Sequence, residues 1–339
     1  MKRDTQAVLL AAGCGLALAV LALGPFGGGL GPLLLALSCW VALLQGCVAV
    51  AATCDLVKAR WIGPIRSRLL APTPLLLLSA PLFLLFWPQL QHYPWSAGGG
   101  RYLHPEFFML RNLAALLLTA VVALAYAAAA SRKQLLAVVY LLLFVVCQSL
   151  IAFDWIMSLE YPWYSSMLGF YFITEALYAG LAVACLLFWR RLRAADPADA
   201  QARERLRDLT SLIFGFCILW GGLFFAQYLL IWYGNLPEET GFILRRTGTA
   251  PYRQMAWLML GCTFMIPFLG LLSARVKSSP AAAAGISLVI LGGLLLERLL
   301  YILPVLTLAP LATLAQFFLL GAPVLFAWRR RAAGGAGES

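Results

Sequence analysis

Charge is the scarcest resource in this chain. Of 339 residues only 12% are charged while 63% are hydrophobic, against about 25% and about 45–50% in ordinary soluble domains. So few charges cannot cover a water-soluble surface, which excludes the two or three soluble domains that the length would otherwise suggest. Histidine is nearly missing: His92 and His104 are the two copies, both in one connecting segment. That excludes bis-histidine haems and a haem–copper centre, which need histidines on helices. The eight cysteines (14, 39, 47, 54, 147, 185, 217 and 262) form no CxxC pair and mostly lie inside apolar runs. Neither a disulfide framework nor an iron–sulfur site is expected from them, and no metal site is assigned. Walker A, GxGxxG and GxSxG patterns are absent, as is the DDxxD signature of membrane prenyltransferases. The net charge of +11 does not point to nucleic acid, because the basic residues sit between apolar runs, where topology accounts for them.

What the chain does have is apolar runs of about 20 residues, each long enough to cross about 30 Å of hydrocarbon. Ten are read, at roughly 7–26, 31–52, 73–90, 107–130, 134–153, 167–189, 210–233, 252–273, 281–303 and 308–328. The expected fold is an all-α integral membrane protein, one polytopic domain over 1–339. Glycines 27–29, Pro105, Pro162, Pro237 and Pro280 punctuate the connections. With both termini on the cytoplasmic side, that side receives Lys2, Arg3, Lys58, Arg60, Arg66, Arg68, Arg132, Lys133, the six arginines between 190 and 207, Arg275, Lys277 and Arg329 to Arg331. This is 19 of the 25 basic residues, a strong positive-inside bias. The first run has signal-peptide features but is read as an uncleaved helix, because the alternation of loops needs it. Opposite lies a face of aromatic and acidic loops, with Trp95, Tyr161, Trp163, Trp232 and Tyr233 beside Glu106, Glu160, Glu238 and Glu239. The aromatics suit a lipid-interface belt; Glu160, Glu238 and Glu239 are candidates for a periplasmic mouth or docking surface.

Ionisable groups at membrane depth are functional candidates because burying them is costly. Glu175 stands about nine residues into the sixth run, with Tyr171 and Tyr178 at i−4 and i+3 on its helix face. A carboxyl there can relay protons, bind a quinone head group, or serve as a neutral packing group bonded to a neighbouring helix. Arg111 either snorkels to the interface or pairs with Asp154 or Glu175. Asp154 ends the fifth run. Gln227 shares a helix face with Trp220 and Phe224. Glu297 and Arg298 are adjacent and point about 100° apart, so each must find its partner elsewhere; Tyr301 lies one turn from Glu297. Gln45, Gln148 and Gln316 read as packing groups.

Two stretches carry a resemblance. FDWIMSLEYPWYSSMLGFYF, 153–172, and QYLLIWYGNLPEETGFILRR, 227–246, resemble the ActF-type membrane subunit of alternative complex III, the bacterial quinol:electron-acceptor oxidoreductase, within the NrfD/polysulfide-reductase-like family; FFMLRN at 107–112 is similar too. The resemblance implies two four-helix bundles, spans two to five and six to nine, between single flanking helices. It further implies a multi-pass subunit in the bacterial inner membrane. Its partners would be a sister NrfD-like membrane subunit, a periplasmic iron–sulfur subunit and c-type cytochrome subunits. It also implies quinone (or menaquinone) binding or proton conduction, and no cofactor ligated by this chain. Where the family commonly has Pro-His after the acidic residue of the first motif, this chain has Tyr161-Pro162, so no role is carried over for that histidine.

The rival readings are a secondary transporter, which ten helices with buried carboxylates also fit, and a purely structural subunit. Pro267 is the helix-breaking residue noted at depth. Reporter fusions placed at Pro197 and at the C-terminus are both expected to read cytoplasmic; periplasmic readings overturn the orientation.

Overall fold

The computed structural model describes residues 2–24, 26–98, 100–193 and 200–334; Pro197, in the basic connection, lies outside the described residues. The chain is 85% helical with no strand among the described residues. Nine of its helical segments there are long and apolar enough to cross a membrane, and a tenth apolar stretch, Leu9–Leu23, is shorter. This is a multi-pass, all-α integral membrane protein.

The helices are α1 (Lys2–Leu23), α2 (Leu30–Leu56), α3 (Gly63–Leu69), α4 (Ser79–Phe83), α5 (Pro105–Ala128), α6 (Lys133–Leu150), α7 (Met167–Leu192), α8 (Ala200–Gly234), α9 (Pro237–Thr247), α10 (Tyr252–Leu260), α11 (Ile266–Leu272), α12 (Ala274–Ser278), α13 (Pro280–Ile302) and α14 (Pro310–Gly334). The first bundle joins α2, the span containing α3 and α4, α5 and α6. The second joins α7, α8, the α10–α11 span and α13, while α1 and α14 pair beside α2. The α2 and α7 helices meet between the bundles, and glycine permits it. A Cβ on Gly46 would lie 1.8 Å from the Ala176 carbonyl oxygen, and one on Gly180 would lie 2.6 Å from the Gly46 backbone. Small residues at such crossings let backbones touch where no hydrophobic drive separates helix from lipid.

Three spans depart from plain α-helix. The third is 3₁₀-helix over Thr73–Leu78 and Leu84–His92 on either side of α4. Pro74, Pro81 and Pro88 recur every seven residues, and each removes a backbone donor and crowds the carbonyl four residues back. The Leu70 carbonyl, which Pro74 cannot bond, accepts from the Thr73 amide at 3.1 Å and hydroxyl at 2.7 Å. The fifth span continues α6 through a π-turn, Ile151–Ile156, and the eighth inserts one, Gly261–Met265, just before Pro267. The π-turns free backbone carbonyls that need other donors. Tyr178 supplies one to Thr263 at 3.1 Å.

Gly46→Ala should separate α2 from α7 and cost more than the about 1–3 kcal/mol of an overpacked side-chain core, because the obstruction is backbone. Gly215→Ala, with nothing within 4 Å, should be neutral or slightly stabilising. Thermal unfolding of both variants in mild detergent checks the contrast.

Candidate functional site: a buried charge cluster in the second bundle

Glu175 on α7 reaches across to α13, where Arg298 donates from Nη2 to its Oε2. The adjacent Glu297 turns away from Arg298 and accepts from the Tyr171 hydroxyl on α7 and from Trp220 Nε1 on α8, the latter at 3.3 Å. The Phe172 ring lies under the Arg298 guanidinium, 3.6 Å from its centroid, and Trp220 stacks on Phe224. Glu175, Glu297 and Arg298 are 3%, 2% and 5% exposed. These are two carboxyls and one guanidinium sealed at membrane depth, with Glu175 Oε1 and Arg298 Nη1 lacking a hydrogen-bond partner.

The two tyrosines on the Glu175 face therefore do not serve Glu175. Tyr171 bonds Glu297, and Tyr178 bonds the π-turn. Gln227 stands apart, accepting from the Ser165 hydroxyl at 2.7 Å.

Asp154 is not a helix-end residue. It is fully buried within the π-turn and gripped in bidentate fashion by Arg111, at 2.7 and 2.8 Å, the geometry that suits guanidinium to carboxylate best. Asn112 adds a third donor at 2.6 Å and is itself held by Trp155 Nε1 at 2.9 Å. Arg111 thus pairs with Asp154 and packs over the ring of Tyr102; it does not reach outward as a snorkelling side chain. Partial burial and the Asp154 carboxylate raise the Tyr102 phenol above its ordinary pKa.

The acidic docking face resolves unevenly. Glu160 is buried and bonded to Arg245 at 2.7 Å and Arg246 at 2.8 Å, so it acts as an internal anchor and is not available as an open docking carboxylate. Trp163 stacks on Phe242 with ring centroids 3.9 Å apart. The two stretches that carry the family resemblance therefore lock together through an ion pair and a ring stack. Glu238 is exposed and Glu239 half-buried. Both sit in the first turn of α9, where carboxylates offset the helix dipole.

A feature passed over in the sequence runs through the first bundle. Asn112, Thr119 and Tyr126 on α5 and Tyr140, Cys147 and Asp154 along the fifth span each repeat every seven residues, so each set lines one helix face. Between them Gln148 donates to Gln45 at 2.8 Å, Gln45 donates to the Cys147 sulfur at 3.3 Å, and the Tyr140 hydroxyl donates to the Gln45 carbonyl at 2.8 Å. The column ends at Asp55, which accepts from Tyr126, Arg66 and Lys133. Gln45 and Gln148 are thus members of a buried polar network, and the seven-residue spacing was its signal.

Within the Glu175 cluster Tyr171 and Trp220 are engaged by Glu297, and the remaining free donor, Arg298 Nη1, is buried. An apolar crevice of about 30 Å³ lies elsewhere, lined by Cys14, Leu37, Trp40, Leu76 and Pro323, and it offers no charged partner. Among the described residues no group of three or more His, Cys, Asp or Glu side chains is placed to hold a metal ion.

No protein-family model matches the chain, and no curated protein matches it significantly.

Asp154→Asn should lower stability by about 3–5 kcal/mol, the usual cost of removing one partner from a buried ion pair. Glu238→Gln, in an exposed first turn, should cost under about 1 kcal/mol. Denaturation of the two variants side by side measures the difference.

Proposed function

We propose that this chain is a membrane subunit of a respiratory quinol-oxidising complex resembling alternative complex III, and that its own task is proton movement coupled to electron transfer by partner subunits. The observation that carries this reading is the sealed Glu175–Arg298–Glu297–Tyr171 cluster. Ionisable groups at that depth are costly, face protein interiors and mark proton relays, and replacing such a set with apolar residues is often neutral or stabilising. Stability alone therefore does not account for keeping it.

The packing of the two resemblance stretches against each other, through Glu160 with Arg245 and Arg246 and through Trp163 with Phe242, supports treating them as one motif. In this reading that motif lies on the periplasmic side of the bacterial inner membrane, and both termini are cytoplasmic. There it meets the iron–sulfur and c-type cytochrome subunits, beside a sister NrfD-like membrane subunit. The closed cluster supports proton handling over quinone binding by this chain, leaving quinol to the sister subunit.

A secondary transporter is the alternative favoured by the proline-broken third span, since transporters use discontinuous helices at their binding sites. Against it, the hydroxyls there turn inward: Thr73 bonds the Leu70 carbonyl and Ser79 the Leu76 carbonyl.

Two measurements test the proposal. Purification from the native host in mild detergent should bring down subunits with c-type haem absorbance; a transport-competent single chain overturns the assignment. In the assembled complex, Glu297→Gln should reduce proton-coupled quinol oxidation by roughly 10²-fold, at the lower end of what a positioned proton carrier contributes. Unchanged turnover and coupling returns the cluster to a packing role.

A further inference from the structure

The cluster holds two carboxyls but one cation, and its hydrogen bonds show where the imbalance falls. Glu175 Oε2 receives Arg298, while Glu175 Oε1 is buried without a donor. Glu297 is brought beside Glu175 because its chain neighbour Arg298 bonds Glu175 while Tyr171, one turn before Glu175, bonds Glu297, and its own two oxygens already face the Tyr171 hydroxyl and Trp220 Nε1. Among the described residues the remaining ionisable neighbours add no second positive charge: Tyr301 on α13 and Cys39 on α2 are not cationic groups. Arg246, beyond Tyr301, is already bonded to Glu160.

Two ionised carboxylates in contact cannot share one guanidinium at low dielectric without a large repulsion, whereas one proton between them removes it. A hydroxyl on Glu297 also supplies the donor that Glu175 Oε1 lacks. We infer that Glu297 carries a proton and donates it in a hydrogen bond to Glu175, while Glu175 stays ionised against Arg298. The transferable proton of the site is then on α13, and Glu175 is the residue that positions it. This deepens the proposed proton-handling role and rests on it for its functional meaning, but the protonation itself is a property of the resting protein and can be read without turnover.

Infrared spectroscopy on the purified protein, compared in H₂O and D₂O, provides the test. The wild type should show the carbonyl stretch of a buried protonated carboxyl, shifting on deuteration. Glu297→Gln should abolish that band and leave the melting temperature close to wild type, because a neutral amide can replace a neutral acid. Glu175→Gln strips Arg298 of its counter-charge, so it should lower the melting temperature and move the band without deleting it. Tyr171→Phe, a mild change that keeps the ring, should displace the band by removing a donor to Glu297.

Absence of the band in the wild type overturns the inference. So does its survival in Glu297→Gln, and so does its loss in Glu175→Gln but not in Glu297→Gln. If the band behaves as expected while Glu297→Gln leaves coupled turnover intact, the shared proton stands and the functional proposal falls.

Discussion

Every charge placed at membrane depth must find its partner inside the protein, since no water is there to solvate it. The Glu175–Arg298 ion pair is where this constraint bears hardest, and much of the second bundle is arranged around it. It ties α7 to α13. Phe172 covers the guanidinium, and Tyr171 and Trp220 converge on the neighbouring carboxyl. On the other side of α7, Gly46 and Gly180 let α2 approach to backbone contact, closing the cluster from the first bundle. A larger residue at either glycine would separate the helices and open the charges to whatever filled the gap.

The same constraint acts at both ends of the first bundle with different arithmetic. Asp154 meets a single arginine in a bidentate pair and borrows Asn112 as a neutral third donor. Asp55 instead gathers Arg66, Lys133 and the Tyr126 hydroxyl, leaving that end with excess positive charge. The excess agrees with the positive-inside bias of the sequence. Between these termini the buried amides, hydroxyls and thiol bond to each other across helices, which is an expensive way to pack a stack of otherwise apolar helices.

The spans were legible because length and hydropathy alone identify them, and all ten expected runs correspond to helical segments. Their internal form was not legible to the same degree. The prolines at 74, 81 and 88 are visible in the sequence, yet hydropathy gives one apolar run and does not register that its backbone donors are missing at regular intervals. Depth and face were also readable. Glu175 lies in the buried ion pair, and Glu297 and Arg298, adjacent in the chain, find their partners apart from each other. Partnership was the part that sequence spacing could not supply. Residues three and four apart share a face, but which helix lies opposite is a tertiary fact, so Tyr171 and Tyr178 were placed around Glu175 when both bond elsewhere. Gln45 and Gln148 were discounted singly because the property that matters belongs to the pair.

A single proton changes the character of the Glu175 cluster because its charges otherwise cancel. With Glu297 neutral, the negative Glu175 and positive Arg298 sum to zero. Removing the proton leaves a net negative charge buried in the protein interior, while adding one at Glu175 breaks the pair and leaves Arg298 uncompensated. Both departures are unfavourable in a low-dielectric site. A proton can therefore leave at little cost when another replaces it, or when a charge change nearby compensates the loss. Such a site resists uncompensated proton flow, and under the proposed function it is the charge change of electron transfer in a partner subunit that would compensate it. A continuous water-filled path would leak; a closed, charge-balanced pair exchanges protons under control. In this sense the tight packing of α2, α7, α8 and α13 around Glu175 serves the proposed coupling.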